Sequence, residues 1–207
     1  MNNYERLTHE LTQSGLRVDE SILRGKPVHG LYLSTPEVPP TALINGDLTA
    51  SEKRCILAEE AGHHYRSAGN ILDQSTPQAR KAENAGRRWA WEKLLPLEAI
   101  ALKKFSDPDL TLEDMAAALD VTVPFLLDAV EHYRRTSGAR TELLCGLTVQ
   151  FEPYFDVWIT DEPHEEYAFF TRCGRRLSPS HAARLAILAR KLFERLAPQQ
   201  NQAPFNK

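Results

Sequence analysis

The chain has 207 residues, of which 42% are hydrophobic and 26% charged, and its formal net charge is -3. This length suits one sizeable domain or one domain with an appendage, and the composition is that of an ordinary globular protein. The negative balance argues against a general binder of nucleic acid or anionic membranes. Since no stretch approaches the roughly 20 apolar residues of a membrane span and the N-terminus lacks the apolar core of a signal peptide, we expect a cytoplasmic protein.

The cysteines indicate neither a disulfide framework nor a cysteine metal site. Cys55, Cys145 and Cys173 are odd in number and far apart, and no CxxC pair occurs. We expect them to be small buried apolar residues.

The first part of the chain predicts a helix followed by a small sheet. Apolar residues at helical spacing over 4–11 predict an amphipathic helix closed by Gly15. Two β-prone runs, 28–33 and 41–44, are bounded by prolines and by Asn45-Gly46, and they predict two strands.

A central helix is predicted next. Thr49 followed three residues later by Glu52 forms a capping box, which indicates where the helix begins. The four apolar residues 55–58 point in all directions around a helix, so we expect this turn to be covered on every side. Gly69 suits the position just past its end.

The following turn of this helix carries two carboxylates and two imidazoles. Glu59 and His63 form an i, i+4 pair, and Glu60 and His64 form a second pair on the adjacent face. The spacing is that by which a helix offers two ligands to one metal, with the intervening glutamate as general base. We interpret Glu59 and His63 as ligands and Glu60 as the base. The alternative is a solvated charged turn, but the apolar turn before it and the small residues Ala61 and Gly62, which permit close backbone approach, favour the metal.

A second helix is predicted over 77–95, since proline fits its first position and another proline follows it. Glu83 shares one of its faces with Gly86, Arg87 and Ala90, and small residues allow a neighbouring helix to approach closely. This makes Glu83 the natural third ligand. The alternative is one more solvated carboxylate.

The segments 56–65 and 83–96 together resemble the ImmA/IrrE metallo-endopeptidases, in the phage and mobile-element branch that has EExxH in place of HExxH. The resemblance covers roughly residues 1–155. It implies a mainly helical zincin-like core in which Glu60 is the catalytic glutamate, His63 the second motif histidine and Glu83 the downstream acidic ligand.

The resemblance also implies a function and a cofactor. The expected activity is zinc-dependent endoproteolysis of a helix-turn-helix repressor that controls a prophage or mobile element. Glu59 makes the donor set harder and more anionic than one with histidine, so the site should also accept Mn²⁺. His64, Tyr65 and Arg87 are candidates to donate to the oxyanion or to support the ligands from a second layer.

After a helix over 97–105, residues 111–130 predict two short helices with a tight turn at 120–122, which is typical of a helix-turn-helix. DNA reading needs polar and basic side chains early in the second helix, but residues 124–128 read PFLLD there. We therefore expect a packing or repressor-docking role.

The C-terminal part predicts strands at 147–151, 156–160 and 167–171 and a helix from Ser178 or Ser180 to about residue 196, followed by a frayed end over 199–207. It carries a basic set of side chains, which forms either a solvated face or a contact with nucleic acid or an acidic partner: Arg172, Arg175, Arg176, Arg184, Arg190, Lys191 and Arg195.

The predicted fold class is α+β. The predicted divisions are a zincin-like metallopeptidase core over 1–105, helix-turn-helix-like helices with a closing strand over 106–155, and a basic hairpin and helix over 156–207. Two other functions stay open: a non-catalytic, metal-stabilised protein that regulates a repressor by binding, and a DNA-binding regulator.

Overall fold

The computed structural model describes residues 1–21, 28–66, 77–152 and 154–160. Within these residues the chain is α+β, as predicted, with six helices and two three-stranded sheets. Its helices and strands are α1 (Asn3–Gln13), β1 (Arg17–Ser21), β2 (Gly30–Leu33), β3 (Thr41–Asn45), α2 (Ala50–Arg66), α3 (Pro77–Leu94), α4 (Leu97–Ser106), α5 (Leu112–Ala118), α6 (Val123–Ser137), β4 (Arg140–Glu142), β5 (Leu147–Gln150) and β6 (Asp156–Ile159).

The chain divides into two compact units. The first comprises Met1–Leu97 and Leu110–Thr136, and the second comprises Glu98–Asp109 and the chain from Ser137 onward. The three-part division predicted from the sequence stays a prediction. No helix in the described ranges is both long and apolar enough to cross a membrane.

The sheet of the first unit has the order β1-β3-β2, with β1 parallel and β2 antiparallel to β3. The two predicted strands are present as β2 and β3. The sequence did not predict β1, because its residues RVDES show no apolar alternation and are mostly exposed at the edge of the sheet. The other edge is β2, which lies against α2.

Helix α2 begins where the capping box predicts. The backbone N–H of Thr49 donates to Glu52 Oε2 at 2.8 Å, and Thr49 Oγ1 accepts from the backbone N–H of Glu52 at 3.4 Å. Cys55, Leu57 and Ala58 are buried. Ile56 is half-buried. The expected cover of this turn is therefore nearly complete.

The α5–α6 pair is present, and the start of α2 holds its turn. Arg54 Nη1 donates to the carbonyl oxygens of Leu119 at 2.9 Å and Asp120 at 2.7 Å, and the Ser51 hydroxyl donates to Asp120 Oδ1 at 2.6 Å. Asp120 adopts a left-handed conformation with φ 54°. Helix α6 continues beyond the predicted end at 130, since the buried side chain of His132 extends its inner face.

The second unit contains most of α4 and the antiparallel sheet β4-β5-β6. The predicted strands over 147–151 and 156–160 correspond to β5 and β6, and β4 is an addition. Cys145 is half-buried rather than buried, because it lies in the tight turn that precedes β5. Four predictions fall outside the described residues: a buried Cys173, a strand at 167–171, a C-terminal helix with basic side chains, and a frayed end over 199–207.

Candidate functional site

The structure brings His63 of α2 and Glu83 of α3 into direct contact. His63 Nε2 lies 3.2 Å from Glu83 Oε2, and both side chains are mostly shielded from solvent. This contact raises the pKa of His63, because the adjacent carboxylate stabilises the imidazolium. The same contact lowers the pKa of Glu83. Two side chains that are 20 positions apart in the sequence thus share one site.

Two glycines allow the helices to meet there. A Cβ atom added at Gly62 would lie 2.2 Å from the carbonyl oxygen of Gly86, and one added at Gly86 would lie 3.0 Å from His63 Nδ1. Any larger residue at either position would force the helices apart or displace the imidazole. The α2–α3 crossing therefore fixes where His63 stands relative to α3.

Glu60 faces the edge strand β2. Burial raises the pKa of its carboxyl group to about 7, and the nearby backbone N–H of Tyr32 opposes that shift only weakly. Gly30 leaves the room for this approach, since a Cβ atom there would lie 2.9 Å from Glu60 Oε1 and 2.3 Å from Ile56 Cγ2. A carboxyl group with such a pKa exchanges protons readily near neutral pH.

Glu59 lies within electrostatic range of the same group. Burial raises its pKa, with a further increase from the charge of Glu83, while Arg87 and His63 act in the opposite direction. Asp128 on α6 also raises the pKa of Glu59. The acidic end of α2 is therefore surrounded by groups from α3 and α6.

The donor atoms on α2 and α3 fit a metal in part. Two ligands about 2.1 Å from a tetrahedral ion stand about 3.4 Å apart, close to the 3.2 Å between His63 Nε2 and Glu83 Oε2. One imidazole nitrogen and carboxylate oxygens are ligands that Zn²⁺ and Mn²⁺ accept. In the described ranges, however, no three or more His, Cys, Asp or Glu side chains are arranged to hold a metal. The contacts thus join two of the three predicted ligands.

The remaining predicted site residues have other contacts. His64 Nδ1 lies 3.1 Å from the Tyr32 hydroxyl, and burial lowers the pKa of His64. The Tyr65 hydroxyl pairs with Ser14 Oγ at 2.5 Å, and its ring packs on Trp89 with centroids 5.0 Å apart. These contacts link α2 to β2, α1 and α3, which favours a supporting role over an oxyanion donor.

Arg87 contacts the predicted ligand set directly, since its Nε donates to Glu83 Oε1 at 3.0 Å.

Sequence reasoning missed three contributors to the site: Tyr32, Gly30 and Asp128. The Tyr32 contribution is a backbone N–H, which no side-chain pattern reveals. Gly30 within a β-prone run was an available signal, because a glycine inside a strand often marks a close approach. Asp128 carried no signal, since only the packing of α6 brings it near Glu59.

Comparison with known proteins adds no relative. No family profile matches the chain. No match was found among curated proteins or among solved structures.

Proposed function

We propose that the protein is a metal-dependent endopeptidase. The observation that carries the proposal is the 3.2 Å contact between His63 Nε2 and Glu83 Oε2. His63 stands on the same helix as Glu60, a half-buried carboxyl group whose pKa is raised to about 7. A pair of potential ligands next to a group of perturbed pKa is typical of a catalytic centre.

Glu59, His63 and Glu83 would hold a divalent ion, which we propose to be Zn²⁺ or Mn²⁺. When bound, the ion supplies Lewis acidity that polarises a peptide carbonyl and makes a water molecule easier to deprotonate. Three carboxylates, those of Glu59, Glu60 and Glu83, lie near one imidazole, and such an excess of negative charge favours a divalent cation.

Glu60 would act as the general base and then as the general acid. It accepts a proton from the attacking water as the water oxygen bonds to the peptide carbon, and it returns that proton to the nitrogen as the C–N bond breaks. The pKa near 7 suits a group that gains and loses a proton in each cycle.

The expected substrate is a protein segment in extended conformation. Among the described residues, strand β2 pairs only with β3, so the backbone groups on its outer edge that do not interact with Glu60 could pair with an added strand. By the family resemblance we propose that the substrate is a helix-turn-helix repressor of a prophage or mobile element, cleaved in the cytoplasm.

The test compares the wild-type protein with Glu60→Gln on a set of candidate repressors, with metal supplied. We expect cleavage to fall by at least about 100-fold in Glu60→Gln, because the proton relay is lost, while binding of metal and repressor is retained. Glu52→Gln on the same helix is the matched control. Equal regulation of the repressor by wild-type protein and Glu60→Gln would instead support regulation by binding alone.

The contacts of the α5–α6 pair support a packing role over DNA binding. Arg54 of α2 donates hydrogen bonds to the carbonyl groups of Leu119 and Asp120, in the turn that precedes α6. A DNA-reading helix needs this end free to enter the major groove. Salt-dependent binding of the purified protein to duplex DNA would overturn the packing role.

A further inference from the structure

The two oxygens of the Glu83 carboxylate have different partners. Oε2 lies 3.2 Å from His63 Nε2, and Oε1 accepts from Arg87 Nε at 3.0 Å. Arg87 stands one turn beyond Glu83 on α3, and 46% of its side chain is exposed. The carboxylate is thus held between a shielded imidazole and a solvent-facing guanidinium.

This arrangement restricts a side chain that would otherwise be mobile. A glutamate side chain has several rotatable bonds, and ordering it has an entropic cost. The guanidinium is planar and always charged, so its hydrogen bond fixes the direction of the carboxylate as well as attracting it. With Oε1 engaged, Oε2 is presented to His63.

We propose that Arg87 is a positioning residue that holds Oε1 of Glu83 so that Oε2 is presented to the divalent ion shared with His63. This inference rests on the proposed function for its metal, but its geometric part concerns the protein alone. A metal bound at Oε2 leaves the Arg87 contact intact, because Arg87 uses the other oxygen.

Two opposing effects decide how a change at Arg87 alters metal affinity. Its positive charge repels a divalent cation, so removing the charge would tighten binding. Its hydrogen bond orders a ligand, so removing the bond would weaken binding. The charge is largely solvent-exposed and therefore screened, whereas outer hydrogen-bond partners of metal ligands typically contribute 10-fold to 100-fold in affinity. We therefore expect that loss of the Arg87 hydrogen bond outweighs loss of its charge, so that metal binding becomes weaker.

The experiment measures the dissociation constants of Zn²⁺ and Mn²⁺ by competition with a chromophoric chelator, using the full chain. Arg87→Met should weaken binding by about 10-fold. Arg87→Lys, which restores a cation able to reach Glu83, should recover part of that loss. The matched control is Arg88→Met: Arg88 is an exposed neighbour on α3 that pairs with Glu92 at 3.9 Å, and its loss should change binding less than about 2-fold.

Unchanged or tighter metal binding in Arg87→Met would overturn the positioning role. A second readout does not depend on metal: crystal structures of metal-free Arg87→Met and Arg88→Met. We expect the Glu83 carboxylate to leave hydrogen-bond distance of His63 Nε2 only in Arg87→Met. If the wild-type protein binds no metal, the proposed function fails, and this structural comparison alone decides the role of Arg87. A Glu83 carboxylate that stays within hydrogen-bond distance of His63 Nε2 in Arg87→Met would contradict the positioning role.

Discussion

Helix α2 carries half-buried charged side chains in both of its halves, but these side chains have different partners in the two halves. In the N-terminal half, Arg54 is 15% exposed and donates to two backbone carbonyl groups, with Asp120 Oδ2 3.8 Å away. Burial lowers its pKa, and Asp120 opposes that shift. In the C-terminal half, burial raises the pKa of Glu59 and of Glu60, and neighbouring carboxylates raise it further.

This difference distinguishes Arg54, whose contacts stabilise the fold, from Glu59 and Glu60, whose charges are available to bind a ligand. The fold supplies Arg54 with partners, so its burial is compensated within the first unit. The carboxylates near His63 are compensated only in part, and a bound cation would complete the compensation. Incomplete compensation of this kind is common at functional sites, where stability is given up for activity.

The close approach of α2 and α3 is the feature whose loss should cost most. Gly62→Ala places a Cβ atom about 2.2 Å from the Gly86 carbonyl oxygen, so the helices must separate. We expect a loss of about 3 kcal/mol in the free energy of unfolding. Chemical denaturation measures it, with Gly46→Ala as control, since no atom lies within 4 Å of a Cβ added there. Equal stabilities of the two variants would mean that the crossing is looser than described.

The N-terminal half should be sensitive to loss of its buried cation. Arg54→Met leaves the carbonyl groups of Leu119 and Asp120 without their donor, which we expect to destabilise the protein by about 2 kcal/mol. Arg17→Met removes an arginine whose side chain is 64% exposed and should change stability by less than about 0.5 kcal/mol. If Arg54→Met changed stability as little as Arg17→Met, the contacts of Arg54 would not stabilise the fold, and the two halves of α2 would not differ in this respect.

Removing a charge from the C-terminal half of α2 should stabilise the protein, whereas removing Arg54 should destabilise it. In metal-free protein, Glu60→Gln should raise the free energy of unfolding by about 1 to 2 kcal/mol at pH 8, because it removes a charge that burial penalises. The folded pKa of about 7 lies above the ordinary value of 4.5. The penalty is therefore complete above pH 7, shrinks as Glu60 becomes protonated between pH 7 and 4.5, and is absent below. Chemical denaturation of both proteins at pH 8 and pH 4 measures the difference in their free energies of unfolding. A difference that is as large at pH 4 as at pH 8 would contradict this prediction.

The smallest effect concerns the ion pair between Lys53, in the first turn of α2, and the exposed Glu20 of β1. Lys53 lowers the pKa of Glu20 by donating to its carboxylate at 2.6 Å. A lowered carboxyl pKa stabilises the fold above the unfolded value of 4.5 and ceases to do so as pH falls through the folded value. Glu20→Gln should therefore cost under about 1 kcal/mol at pH 7, because Glu20 is 45% exposed, and nothing at pH 2. A constant difference across this range would exclude the ion pair as its source.

Local signals in the sequence predicted the main elements of the site. The Thr49 and Glu52 capping box marked the start of α2, and the proline at position 77 marked the start of α3. The small residues next to Glu83 indicated a close approach, and Glu83 does contact His63. These features could be predicted because each depends on neighbouring residues along one helix.

Features that depend on packing could not be predicted. The Tyr32 backbone N–H reaches Glu60 only because β2 lies against α2, and Asp128 affects Glu59 only because α6 lies near α2. Arg87 was one of three candidates for an oxyanion donor, and only the folded chain shows its hydrogen bond to Glu83. Strand β1 escaped prediction because hydrogen bonds to β3, rather than its own side chains, define it.

Metal binding at the α2–α3 crossing is tested most directly by titration of the full chain with Zn²⁺, comparing the wild-type protein with Glu83→Gln. Glu92→Gln, a half-exposed carboxylate on the same helix, is the control. We expect the wild-type protein and Glu92→Gln to bind one ion per chain and Glu83→Gln to bind at least about 10-fold more weakly. Equal binding by Glu83→Gln and Glu92→Gln, or no binding by the wild-type protein, would contradict a metal site shared by His63 and Glu83.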